Sequence, residues 1–301
     1  MAANGDAMNV HNPELTAATP KGAHTAAMSK SAAAAVGGVV WQTPVICAVT
    51  ISIIIGATTL AALGTLPFWA TVLLNWWALF ALYTPLHEAV HGNISGRDKS
   101  KAWLDKWVGG VAGFFLSVPY GPHKTIHLTH HRHTNDPARD PDHWVKGKTV
   151  PGIFFRCMSA SFGYLVYCLR NWENPEMRRA FWGTAGGMSA TAIVLTGLGQ
   201  WLGWQVPVFG YLIPAVLAIT TLAFLFDWIV HTPHEVQDRF ANTRVLESDG
   251  KLDTVVTWLD LQQNYHGVHH AFPKIPFTKY RAFFRANRDD IVNAGLPVER
   301  Y

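Results

Sequence analysis

Charge is what this 301-residue chain lacks most. Asp, Glu, Lys and Arg make up 15% of it, against roughly 25% in a soluble domain. The deficit is concentrated, with no charged residue from Ser31 to Leu86 or from Ala180 to Phe226. Such stretches cannot form a soluble surface. Cysteine is also scarce. Cys47, Cys157 and Cys168 are scattered and make no CxxC pair, which excludes a disulfide framework and a zinc ribbon. The net charge of +4 is modest, and no nucleic-acid partner is expected. What the chain has is 49% hydrophobic residues and 13 tryptophans, the composition of a membrane protein with a polar part.

Each uncharged stretch divides in two. Pro44 to Leu63 and Pro67 to Leu86 are 20 residues each, about 30 Å as helix. Gly64-Thr65-Leu66-Pro67 is the turn between them, with proline placed to start the second helix. Gly183 to Leu202 and Pro207 to Phe226 form a second pair. Trp201 and Trp204 at its joint suit a membrane interface. Neither turn carries a charge, so both hairpins return to the side that holds all the Lys and Arg, which is the cytoplasmic side. The expectation is an all-α integral membrane protein of four transmembrane helices in two hairpins, with a cytoplasmic helical cap. Residues 39–301 would form this membrane domain. Residues 1–38, rich in Ala, Gly, Thr and Asn, read as a disordered tail. That tail has Asp6, Glu14 and no arginine, a poor organelle transit peptide, and the apolar run behind it is too long for a signal peptide. Val108 to Pro119 is too short to cross, and Pro151 to Leu169 reads as a helix lying along the interface.

Histidine is abundant where charge returns. His127-Leu-Thr-His130-His131 places three imidazoles at i, i+3 and i+4, on one helical face. His266-Gly-Val-His269-His270 repeats the pattern. His87 and His91, at i, i+4, continue the second span, and Asp227 and His231 continue the fourth. Converging neutral imidazoles are a metal site before anything else. Nine imidazoles (His87, His91, His127, His130, His131, His231, His266, His269, His270), with Asp227 as a possible tenth group, exceed any single zinc site. They fit two six-coordinate ions with room for oxygen or substrate. Imidazole suits iron, copper and zinc, and two irons explain the number. His123, His133 and His143 read as supporting or surface groups, and Asp136, Asp140 and Glu88 as carboxylates able to orient imidazoles.

A first HxxxH, a second HxxHH and a third HxxHH, following paired spans, resemble the membrane fatty acid desaturase and hydroxylase superfamily over roughly residues 80–280. The resemblance implies a non-haem di-iron centre that uses dioxygen and two external electrons to attack an unactivated C–H bond of a lipid. Rebound of hydroxyl gives an alcohol, and a second abstraction gives a double bond. Box by box, the ligands carry over to His87 and His91, then His127, His130 and His131, then His266, His269 and His270, with no catalytic side chain beyond them. Asp227-x-x-x-His231 is similar to an extra ligand pair of some members, where the first position is usually Asn, and His234 rivals His231. His131-Arg-His133-Thr-Asn-Asp136, Asp140-Pro-Asp142 and Asp227-Trp-x-x-His231-x-Pro-His234 also resemble carotenoid (beta-carotene) hydroxylases. Implied partners are a lipid or isoprenoid substrate from the bilayer and a separate ferredoxin-, rubredoxin- or cytochrome-type electron donor.

Two other classes compete. His87-Glu88-Ala89-Val90-His91 is a literal HExxH, the zinc metalloprotease motif with the glutamate as base. That reading leaves both HxxHH clusters unexplained. A metal transporter would place polar groups at the bilayer midplane, where these spans have neither charge nor histidine.

Overall fold

A computed structural model describes residues 21–301, which are mostly helical. The expected tail falls partly outside the described residues. Within them, Lys21–Ala35 forms helix α1, with Met28 and Ala32 buried against the C-terminal core. The alanines that made this stretch look structureless are the best helix formers, and Met28 anchors it.

Helix α2 (Gln42–Ala62) and helix α3 (Phe68–His91) form the first hairpin. Gly64 turns the chain at φ +72°, a left-handed conformation that costs glycine nothing. Pro67 caps α3 in extended conformation. The helix runs on past the apolar stretch to His91 and stops at Gly92, φ +67°. Helix α4 (Ala102–Phe115) buries Leu104, Val108 and Ala112 against α3. Its Asp105 carboxylate accepts from the backbone N–H of Ile94 and Ser95 at 3.0 and 3.4 Å. Helix α5 (Tyr120–His133) carries the central histidines.

Helices α6 (Val150–Met158) and α7 (Ala160–Arg170) replace the single interfacial helix expected there. They bend by 75°. At Ser159 the hydroxyl bonds the Phe155 carbonyl (2.7 Å) and receives Trp144 Nε1 (3.1 Å), which fixes the break. Helix α8 (Pro175–Leu202) turns through Gly203 into helix α9 (Gln205–Ile229). Within α9, Val208–Leu212 and Ala223–Ile229 are π-helical, a widening often found at functional sites.

Among the described residues, α2 and α9 are long and apolar enough to cross a membrane, and α6 with α7 would qualify if read as one broken span. Asn75 and the adjacent Trp76 and Trp77 dilute α3; Gly183, Thr184, Gly186, Gly187 and Ser189 dilute the uncharged part of α8. The exterior is apolar nonetheless, with Trp41, Trp69, Ile193 and Trp201 exposed. Inside, Asn75 Nδ2 donates to Thr58 Oγ1 at 2.9 Å and to the Gly210 carbonyl at 2.7 Å, tying α2, α3 and α9. A Cβ at Gly210 would stand 2.8 Å from the Thr58 methyl, so only glycine permits this approach.

The C-terminal part adds short helices α10 (Gly250–Leu259), α11 (His266–Ala271), α12 (Tyr280–Ala286) and α13 (Arg288–Asn293). It also departs from the all-α expectation. Strands β1 (Val245–Glu247) and β2 (Val298–Arg300) pair in parallel with Val245 opposite Val298, and Arg244 and Glu299 form an ion pair beside them. This ribbon encloses a core of Tyr265, Val268, Phe284 and Ile291, which holds α11 in place under α3 and α5.

Candidate metal centre

The ends of α3 and α5, the exit of α9 and the whole of α11 bring their histidines to one place. His87, His91, His127, His131 and His269 form one group of nitrogens, and His130, His231 and His270 a second. The His131 and His270 rings stack at 4.3 Å where the groups meet. All are buried except His131, which is partly exposed.

In the first group the Nε2 atoms run in a chain. His91 is 2.9 Å from His127, His127 is 3.1 Å from His131, and His131 is 2.9 Å from His269. Each Nε2 carries either one proton or one lone pair, so three such contacts in a row cannot all be hydrogen bonds. Metal–imidazole bonds of about 2.1 Å put neighbouring octahedral ligand atoms about 3.0 Å apart. The donor set therefore fits a metal ion. Both ring nitrogens of His87, and Nε2 of His231, are buried without a partner. In the second group His130 Nε2 lies 3.3 Å from His270 Nε2.

The opposite ring nitrogens are held from outside. Asp140 Oδ1 is 2.8 Å from His130 Nδ1, with Asp142 Oδ2 at 3.2 Å. The Tyr280 hydroxyl is 2.9 Å from His269 Nδ1. The Asn242 carbonyl is 3.2 Å from His231 Nδ1, and Thr134 Oγ1 3.5 Å from His270 Nδ1. An Nδ1–H donated outward leaves the Nε2 lone pair facing inward, as metal ligation requires. Burial, then repulsion by neighbouring rings, holds His127, His131, His231, His269 and His270 well below the ordinary histidine range, so they are neutral donors at pH 7. Burial also opposes charge on His130, but Asp140 and Asp142 outweigh it and push the ring up to about 10 in the metal-free protein.

Eight of the nine expected imidazoles thus fall in the two groups. His266 stands beside them, its ring centroid 4.7 Å from that of His270, with Nδ1 buried and unpartnered. His234 lies behind His231 at 6.3 Å. Asp227 belongs to neither group and instead lines an adjoining cavity. Of the orienting carboxylates expected, Asp140 does so directly. Asp136 pairs with Arg139. Glu88 is fully buried and accepts from Phe277 N–H (3.0 Å), Asn93 Nδ2 (3.3 Å) and Tyr280 O–H (3.3 Å), reaching His269 only through the tyrosine. Tyr280, Thr134 and Asn242 had no spacing signal in the sequence.

The fold and site together define a helical protein with an apolar exterior and a buried polyhistidine centre able to hold metal. Residues 63–301 match the fatty acid desaturase family model, and the chain belongs to that family. No curated protein matches it significantly. Membership makes it a membrane-associated oxidoreductase of the desaturase and hydroxylase type, a family known for its use of iron.

Proposed function

We propose that the two imidazole groups hold two iron ions, and that the protein desaturates or hydroxylates a lipid hydrocarbon chain with dioxygen. The observation that carries this reading is the pair of adjoining imidazole groups. Bound there, iron would supply the redox chemistry that activates dioxygen. The chain's own residues do the rest. Asp140, Tyr280 and the Asn242 carbonyl fix the ring tautomers, and burial of the rings keeps water out. Both outcomes consume electrons from outside, from a ferredoxin-, rubredoxin- or cytochrome-type donor.

Residues 39–301 would form one membrane domain in which α3 and α8 cross beside α2 and α9. This is supported by the two hairpins and their uncharged turns, and it places the histidines on the cytoplasmic side. A fatty acyl chain is the first substrate reading. A carotenoid is the second, favoured by the adjoining cavity, whose mouth at Met158, Met188, Leu212 and Val216 opens on the apolar exterior; that mouth suits a lipid without a bulky headgroup. A protease base would have to be free to meet water, whereas Glu88 is occupied by three donors.

The test is iron and zinc content of purified protein after iron-supplemented growth, with lipid extracts searched for new double bonds or hydroxyls. About two irons per chain, and loss of product in His130→Ala and His269→Ala, are expected. One firmly held zinc, or near-normal turnover in either variant, would overturn it.

A further inference from the structure

A cavity of ≈290 Å³ runs from the apolar exterior between α8 and α9 to His123, beside the first imidazole group. Most of its wall is apolar: Leu79, Ile126, Ala215, Ala218 and Ile219 among others. Its inner end is not. Tyr83, His123 and Asp227 line it there. The Tyr83 ring lies 5.7 Å from His123 and 5.9 Å from His87, and His123 stacks on His127 at 5.6 Å. The inner end is therefore one ring away from the first imidazole group.

None of these three has a hydrogen-bond partner for its inner polar atoms among the described residues, the Tyr83 hydroxyl included. Asp227 makes no hydrogen bond among the described residues, and His123 Nε2 is buried without one. Some polar side chains further out between these helices are bonded. Ser117 contacts Thr191 and Tyr211 at 2.8 and 2.6 Å, and Trp76 donates to Thr221 at 3.2 Å. An unpaired carboxyl in an apolar span is expensive, and it stands where the carboxyl can meet whatever fills the cavity.

We infer that Asp227, with His123, is a polar anchor for a hydroxyl group on the lipid that enters this cavity. A hydroxyl both donates and accepts, so it satisfies the carboxyl in either protonation state and the imidazole in either tautomer. A pure hydrocarbon leaves both groups unpaired. An ammonium group would have to shed its water to pass the apolar mouth. The volume lies at the low end for ligand pockets, so it takes the end of a lipid rather than all of it. The favoured substrate is then a lipid bearing a hydroxyl close to the carbon that reacts. That it is a substrate rests on the function proposed above; that it binds does not.

The experiment is retention of deuterated octadecan-1-ol against deuterated octadecane by the full-length protein in lipid nanodiscs, iron-loaded and as purified, counted per chain by mass spectrometry. The wild type should retain the alcohol roughly tenfold or more over the alkane. Asp227→Asn, which keeps a hydrogen-bonding head, should preserve the preference. Asp227→Leu should abolish it without lowering alkane retention, and Thr184→Trp, in the cavity wall, should lower both. Equal retention by the wild type, a preference that survives Asp227→Leu, or unchanged retention in Thr184→Trp would overturn the inference. So would loss of iron in Asp227→Leu as large as in His231→Ala, which would make Asp227 a group that serves the metal. Retention needs no turnover, so an inactive or iron-free protein would sink the proposed reaction while leaving an alcohol preference standing.

Discussion

The Tyr280 hydroxyl accepts from His269 Nδ1 at 2.9 Å and donates to Glu88 Oε1 at 3.3 Å. One phenol thereby sets the tautomer of a first-group imidazole and fastens the start of α12 to the end of α3. Tyr280→Phe keeps the packing and removes both bonds. It should weaken metal binding by roughly 10- to 100-fold, read by competition with a chelator, with little change in helix content. Unaltered affinity would mean that the tyrosine serves packing alone.

The two groups should be separable. His231 contributes only to the second. His231→Ala is expected to halve the iron content, to about one ion per chain, and to abolish product formation. His91→Ala should take the complementary ion. Loss of all iron from both variants would indicate one indivisible site.

Glu88 tests the rival HExxH reading through stability. Its carboxylate receives the Phe277 N–H and the Asn93 amide in a fully buried position. Glu88→Ala leaves the Phe277 N–H unpaired, at roughly 1–3 kcal/mol for a buried group, while the Asn93 amide keeps the Pro273 carbonyl. The melting temperature should fall and iron should be retained poorly. A stable, iron-replete variant that has lost only a peptide-cleaving activity would favour the protease.

Asp260, at the end of α10, offers a pH test away from the metal. Burial raises its carboxyl from the ordinary range to about 8, against a smaller pull from the Asn264 N–H, and Oδ1 has no partner. The folded state binds the proton more tightly than the unfolded chain. Asp260 therefore favours folding fully only below its unfolded value of about 3.9, and that contribution is lost as pH rises toward 8. Asp260→Asn should flatten the decline in melting temperature between about pH 5.5 and 8.5. The same slope in both proteins would show the carboxyl to be hydrated in solution.

The metal-binding pattern was legible because helical spacing converts directly into geometry. His127, His130 and His131 share one stretch of α5, and His87 and His91 one turn of α3, so their convergence needs no tertiary knowledge. His266 is the exception. It lies at the very start of the six-residue α11, too short a helix for spacing alone to aim all three of its rings alike. Asp227 stood at i, i+4 from His231, but the π-helical turns end at Ile229, and the register that would align the pair is lost. Tyr280 was invisible because a loop closure, not a period, brings it to His269. Residues 42–62 and 68–91 matched the apolar runs closely, since Gly64 and Pro67 punctuate them. The bend at Ser159 escaped because a hydroxyl bonded to Trp144 decides it, and no local pattern marks that contact.

The Asn75 amide has a further consequence, for assembly. Its acceptor on Gly210 is 135 residues further along the chain, and would be made long after the first hairpin. Until α9 arrives, that hairpin carries an amide hydrogen with nothing to receive it among apolar neighbours. The first pair of helices is therefore an unfinished half rather than a module. A truncated chain ending before α9 should be recognised by cellular quality control as incomplete, whatever the state of its histidines.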